Sequence, residues 1–133
     1  MHWRRAAEQL GCDDPDVLAS PDDEYALYNF LFECREQFAQ ARRSGDSAKL
    51  AELISFVTRC LDNTLESDGE DLPGAAGAAF AEHLFDDVPD DELVGVYEAV
   101  GSEFYIKCRR WIERWVEPAL FTKIERIHEK ARA

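Results

Sequence analysis

Between Phe80 and Val94 the chain reads FAEHLFDDVPDDELV, in which Asp86, Asp87, Asp90, Asp91 and Glu92 surround Pro89 with no lysine or arginine beside them. Carboxylates gathered in this way serve a helix start, a divalent-cation site, or a face for a basic partner. Asp90, Asp91 and Glu92 fall where the positive end of a helix dipole favours acid, so a helix start explains three of the five. A calcium loop requires the order D-x-[DN]-x-[DN]-G-x5-E, and neither DDVPDDE nor DNTLESDGEDLP follows it.

The histidines and cysteines offer less. Glu125 and His128 share one helical face, as in half of a di-iron carboxylate motif, but Phe80 occupies the place that a second Glu would need before His83. His128 is therefore expected as a surface imidazole on the last helix. His83, next to Glu82 near a helix end, could act as a general base. A lone histidine there is more commonly satisfied by the free carbonyls of the last turn. Cys12, Cys34, Cys60 and Cys108 stand 22, 26 and 48 positions apart with no CxxC pair. They read as reduced thiols, mostly in the core, and none has a local histidine that would make it a nucleophile. PGAAGAAF lacks the Lys and Ser/Thr of a phosphate loop. No catalytic residue, metal or cofactor is expected, and binding is expected over catalysis.

The distribution of charge is the stronger signal. The 133 residues hold 15 Lys and Arg against 28 Asp and Glu, a net charge of −13. From Cys60 to Ile106 there is no Lys or Arg, while 13 carboxylates accumulate; from Lys107 onward the sign reverses. A field of this sign repels phosphate backbones and anionic lipid surfaces, so neither nucleic acid nor membrane is expected as a partner. It attracts a basic protein. The candidate partner-binding residues are Asp68, Glu70, Asp71, Glu82, Asp86, Asp87, Asp90, Asp91 and Glu92. A solvated acidic face, partly neutralised by the basic C-terminal helix, is the competing reading.

Helices must position these groups, because apolar residues recur at helical spacing and no stretch alternates as a strand does. The expected helices are 2–10, closed by Gly11; from a cap at Ser20, with Pro21, Asp22, Asp23 and Glu24 in its first turn, to about Arg43; from Asp46 or Ser47 to Leu65; 72–85; from Pro89 or Asp90 to Val116, bent at Gly101; and from Pro118 onward. Leu120 or Phe121, Ile124, Ile127 and Ala131 should face inward on the last. Gly74 and Gly77 lower the helix propensity of 72–85 by about 2 kcal/mol against alanine, which calls for a neighbouring helix backbone packed close to them. Tyr25, Tyr28, Tyr97, Tyr105, Trp3, Trp111 and Trp115 are expected mostly in the core, with Trp111 and Trp115 able to stack on Arg109, Arg110 and Arg114. The result is an all-α chain, one domain over 1–133, built as a bundle of five to six mostly antiparallel helices, with a small HEAT-like arrangement as the variant. MHWRRAAEQLG carries no apolar leader and no window approaches 18 apolar residues, so a cytoplasmic protein is expected.

Over about residues 39–111 the chain resembles, in outline, small all-helical bacterial immunity-type proteins found beside polymorphic or contact-delivered toxins. The elements are a basic helix end at Arg42 and Arg43, the turn Ser44-Gly45-Asp46, an amphipathic helix, the acidic break ESDGED, a small-residue helix ending at Phe80, Glu82, His83 and Leu84, and a second acidic start. The resemblance implies a non-enzymatic inhibitor that blocks a cognate toxin, with the acid facing a basic toxin domain such as a nuclease. Two other classes remain beside it. One is an adaptor bundle that self-associates through apolar surface; the other is an enzyme with a carboxylate-bound metal.

Overall fold

The computed structural model describes every residue except Ser20, Pro21, Asp22, Glu24 and Ala133, so the expected cap at Ser20 and most of the acidic turn after it lie outside the described residues. Among the described residues there are eight α-helices and two single turns of 3-10 helix, joined by loops, and no strand. The count exceeds the expected five to six because one long expected helix divides at Gly101 and one short helix, Pro15–Leu18, was not foreseen.

Helix α1 (Trp3–Gln9) is capped by His2, whose Nδ1 accepts from the Arg4 N–H. Its entry is tied down by two backbone bonds, Trp3 N–H to the Glu66 carbonyl and Glu66 N–H to that of Met1. Helix α2 (Pro15–Leu18) lies between the first two expected helices, where none was expected. Asp14 caps it and Pro15 starts it, the local chemistry of a short helix. Helix α3 (Ala26–Ser44) ends at Gly45 with φ 72°, in the left-handed region where glycine is favoured. At its start the Asp23 carboxylate accepts from the Tyr25 N–H.

Helix α4 (Ser47–Leu61), capped by Asp46, stops four residues short of Leu65, which still packs into the core from the following loop. Helix α5 (Leu72–Ala79) stops at Phe80, and a 3-10 turn (Ala81–His83) replaces its expected last turn. Gly101, at φ 85° and ψ 160°, does more than bend the expected long helix: it separates α6 (Leu93–Val100) from α7 (Ser102–Trp115). A 3-10 turn (Asp90–Glu92) leads into α6, and α8 (Pro118–Arg132) starts at its proline as expected.

One apolar cluster joins the helices, and Trp3, Phe30, Leu31, Phe56, Phe80, Tyr105 and Ile112 are fully or almost fully enclosed in it. Helix α5 is central, packed against α3, α4 and α7. The two glycines in it have separate causes, neither of them a neighbouring backbone. A side chain at Gly77 would overlap the indole of Trp111 from α7, and one at Gly74 would collide with the Asp71 carboxylate that caps the helix. Small residues here make room for a large ring and for a cap.

Candidate protein-binding surface

The site is assembled on α3, on the loop after α5 and on the end of α7. Arg35, projecting from α3, donates from Nε to the His83 carbonyl (2.9 Å) and from a terminal nitrogen to the Asp86 carbonyl (2.8 Å). Each bond spans about fifty residues of chain, so the guanidinium fixes the loop to the helix. Within the loop Asp87 sits at φ 57°, a left-handed conformation that aspartate tolerates better than most side chains.

His83 stands between two aromatic rings. Phe32 of α3 lies 5.6 Å away and Trp115 of α7 4.7 Å away, the latter edge-on at 71°. The imidazole Nδ1 is 2.6 Å from one oxygen of Asp86, and the Trp115 indole N–H donates to the other at 3.1 Å. Facing a carboxylate, Nδ1 carries the hydrogen, so His83 donates and Nε2 remains without a protein partner among the described residues. The expectation that helix carbonyls satisfy His83 is therefore corrected: a side-chain carboxylate three residues on does so.

Two of the tryptophan and phenylalanine faces here are exposed, Trp115 at 53 % and Phe32 at 44 %. Tyr25, just before α3, and Tyr28 within it precede Phe32 at helical spacing and are also exposed. Of the seven tyrosines and tryptophans expected mostly in the core, Trp3, Tyr97 and Tyr105 are buried and Trp111 packs against it, while Tyr25, Tyr28 and Trp115 are exposed. Trp111 does stack with cations, from Arg110 and Arg114.

The nine expected carboxylates separate into two sets. In the first, Asp68 accepts from His2 (3.1 Å) and Arg4 (3.0 Å), and Glu70 accepts from the buried Trp3 indole at 2.5 Å. Asp71 caps α5 through the Gly74 N–H. These three bind the loop 66–71 to α1 and α5. In the second set, Asp86 is held as described, Glu92 pairs with Arg42 of α3 at 3.0 Å, and Asp90 pairs with Lys123 of α8 at 2.6 Å. The reading that no cation approaches the run 86–92 holds along the chain and fails across it. Glu82, Asp87 and Asp91 have no cationic partner among the described residues, and all three reach solvent.

Buried titratable groups lie elsewhere. His128, expected at the surface, is only 2 % exposed: α8 turns it inward, where Ala131 was expected, against the rings of Tyr97 and Tyr105. Tyr97 Oη and His128 Nδ1 are 2.6 Å apart, while His128 Nε2 is enclosed without a partner. Burial holds this imidazole below its ordinary pKa, and Arg132 acts in the same direction. Tyr105 donates to Glu125 at 2.6 Å, and Arg109 meets the other oxygen of that carboxylate. Glu125 and His128 do share a helical face, as expected, and both meet Tyr105 on it, the carboxylate at its hydroxyl and the imidazole at its ring. Burial also raises the cysteine thiols, Cys60 to about 12 and Cys34 and Cys108 above that, so they stay protonated at neutral pH. Cys34, Cys60 and Cys108 are in the core and Cys12 at its edge.

Among the described residues no group of three or more His, Cys, Asp or Glu side chains is disposed to hold a metal ion, and no helix is long and apolar enough to cross a membrane. Compared with protein-family models, with curated proteins and with solved structures, the chain matches none. The aromatic cluster was the part of the site that sequence reasoning missed. Tyr28 and Phe32 were expected to widen the core stripe of Leu27, Leu31, Cys34 and Phe38, and their exposure corrects that: with Tyr25 they form a second stripe at spacings of 3 and 4, offset from the first.

Proposed function

We propose that this chain is a non-enzymatic acidic protein of the cytoplasm that captures a basic protein, in the manner of an immunity protein holding a toxin domain. The observation that carries the reading is the exposed pair Phe32 and Trp115, locked around His83 beside carboxylates that their own fold does not neutralise. Each half of that arrangement supplies a different part of binding. The net charge of −13 draws a cationic surface in and speeds encounter, while large rings buried at the centre of a contact supply most of the affinity.

Pre-organisation favours the rings. Trp115 is held by Asp86, and Asp86 by His83, so docking orders little that is not already ordered. Glu82, Asp87 and Asp91 then meet lysines or arginines of the partner, and the exposed indole face accepts a guanidinium in a cation–π contact. Asp68, Glu70 and Asp71 leave the set of binding residues in this reading, since each already holds a structural bond to α1 or α5.

The test is titration calorimetry against the product of the neighbouring reading frame, at low and at physiological salt. Affinity should fall as salt rises, and Trp115→Ala should weaken it by about 2 kcal/mol, the size expected for a central anchor. Binding that ignores both salt and Trp115 sinks the proposal. The stripe Tyr25, Tyr28 and Phe32 favours one second reading, an adaptor that self-associates through these rings. A sedimentation profile that stays monomeric over a hundredfold dilution removes it.

A further inference from the structure

Helices α6 and α8 leave an open groove of about 540 Å3 between them. Its floor and walls are apolar: Leu93, Val94 and Tyr97 come from α6 and Ile127 from α8. Along α8 the rim is basic, with Arg126 and Lys130 one helical turn apart. Lys123 at one end is already paired with Asp90, and Glu98 stands on the α6 side. Three cations against two carboxylates leave the lining one positive charge, in a chain whose net charge is −13. Arg126 and Lys130 make no ion pair among the described residues.

The geometry points to a binding site for a monoanionic amphiphile, a small molecule with an apolar body and one carboxylate-like head. Three features agree on this. The volume lies within the range of small-molecule sites, and the lining combines an apolar majority with a few charged groups that fix orientation. The groove runs from Lys123 to Ala131, eight steps of helix or about 12 Å, a length suited to a short acyl chain or flat apolar body. The head group belongs at Arg126 and Lys130, where a guanidinium supplies paired donors to a carboxylate. The body lies on Val94 and Ile127 and reaches the ring of Tyr97, whose hydroxyl is turned to His128 and so stays out of the ligand's way. The site is independent of the protein-binding surface, since it shares none of its aromatic or unpaired acidic residues.

Sodium decanoate is the probe, used below its micellar concentration and compared in calorimetry with decanol and decyltrimethylammonium. Decanoate should bind one per chain, at least tenfold more tightly than either analogue. Arg126→Glu combined with Lys130→Glu should abolish that preference, and Val94→Glu, an exposed change that leaves the fold intact by circular dichroism, should remove binding. Equal binding of all three amphiphiles, no binding of decanoate, or unchanged binding by the double variant would each overturn the assignment. So would a groove that rejects decanoate and takes an acidic two-turn amphipathic peptide instead.

Discussion

Residues 66–71 carry Glu66, Asp68, Glu70 and Asp71, and residues 82–92 carry Glu82, Asp86, Asp87, Asp90, Asp91 and Glu92; by composition the two stretches are alike. In the first, Asp68 and Glu70 bind α1 through His2, Trp3 and Arg4, and Asp71 caps α5. In the second, Asp86 and Glu92 are tied to groups of the fold, Asp90 holds only an exposed lysine, and Glu82, Asp87 and Asp91 face solvent without a cation. The difference teaches that local charge density does not identify a binding face. What matters is whether the fold has already supplied donors to those carboxylates, because a charge matched inside the fold attracts a partner less strongly and has fewer acceptor sites left for it.

Four measurements would break or sharpen this contrast. Glu70→Leu should cost most, about 1–3 kcal/mol in urea unfolding, because it strands the N–H of the fully buried Trp3. A loss near zero would show that Glu70 is not structural and would return the 66–71 acids to the binding set. Asp71→Ala should cost about 1 kcal/mol, the worth of a helix cap, and leave partner affinity within twofold. An affinity change without a stability change would reverse its role.

A pH series separates the acids from the buried imidazole. Folding keeps His128 neutral below its ordinary pKa of 6.5, so the unfolded chain takes up a proton first. Stability attributable to His128 is thus complete above pH 6.5 and is lost as the pH falls below it, through the folded-state pKa. Urea midpoints of the wild type should drop between pH 7 and 5.5, and His128→Phe should flatten that slope. A slope that survives the substitution assigns it to other groups. The smallest effect belongs to Glu82→Gln, Asp87→Asn and Asp91→Asn, each within about 0.5 kcal/mol in stability. Combined, they should lower partner affinity and its salt dependence. Unchanged salt dependence would mean that the 82–92 acids, like those of 66–71, serve the fold alone.

The features legible in the sequence were those set by neighbours along the chain. Gly45 as the end of α3, Asp46 as a cap and Pro118 as a helix start follow from dihedral freedom and from donors within a turn, and the apolar spacing from Leu27 to Ala41 follows from the 3.6-residue period. Helix ends without a strong local stop were less legible. The break at Phe80 replaces a helix that sequence alone continues to Phe85, and Arg35, binding the carbonyls of His83 and Asp86 from α3, helps hold the chain in its new course.

By itself the sequence determined an all-helical chain, the positions of most helices and a strongly negative middle third, because caps, periodicity and net charge are properties of nearby or summed residues. Tertiary structure alone decided that His128 is buried, that Gly77 accommodates Trp111, that Phe32 and Trp115 enclose His83 in the open, and which carboxylates remain unmatched. Those outcomes depend on which side chains meet across tens of residues of chain, as Lys123 meets Asp90 and Arg42 meets Glu92. Only the packing of one helix against another settles such pairings, since hydrogen bonds and ion pairs act over a few ångströms of space rather than along the chain.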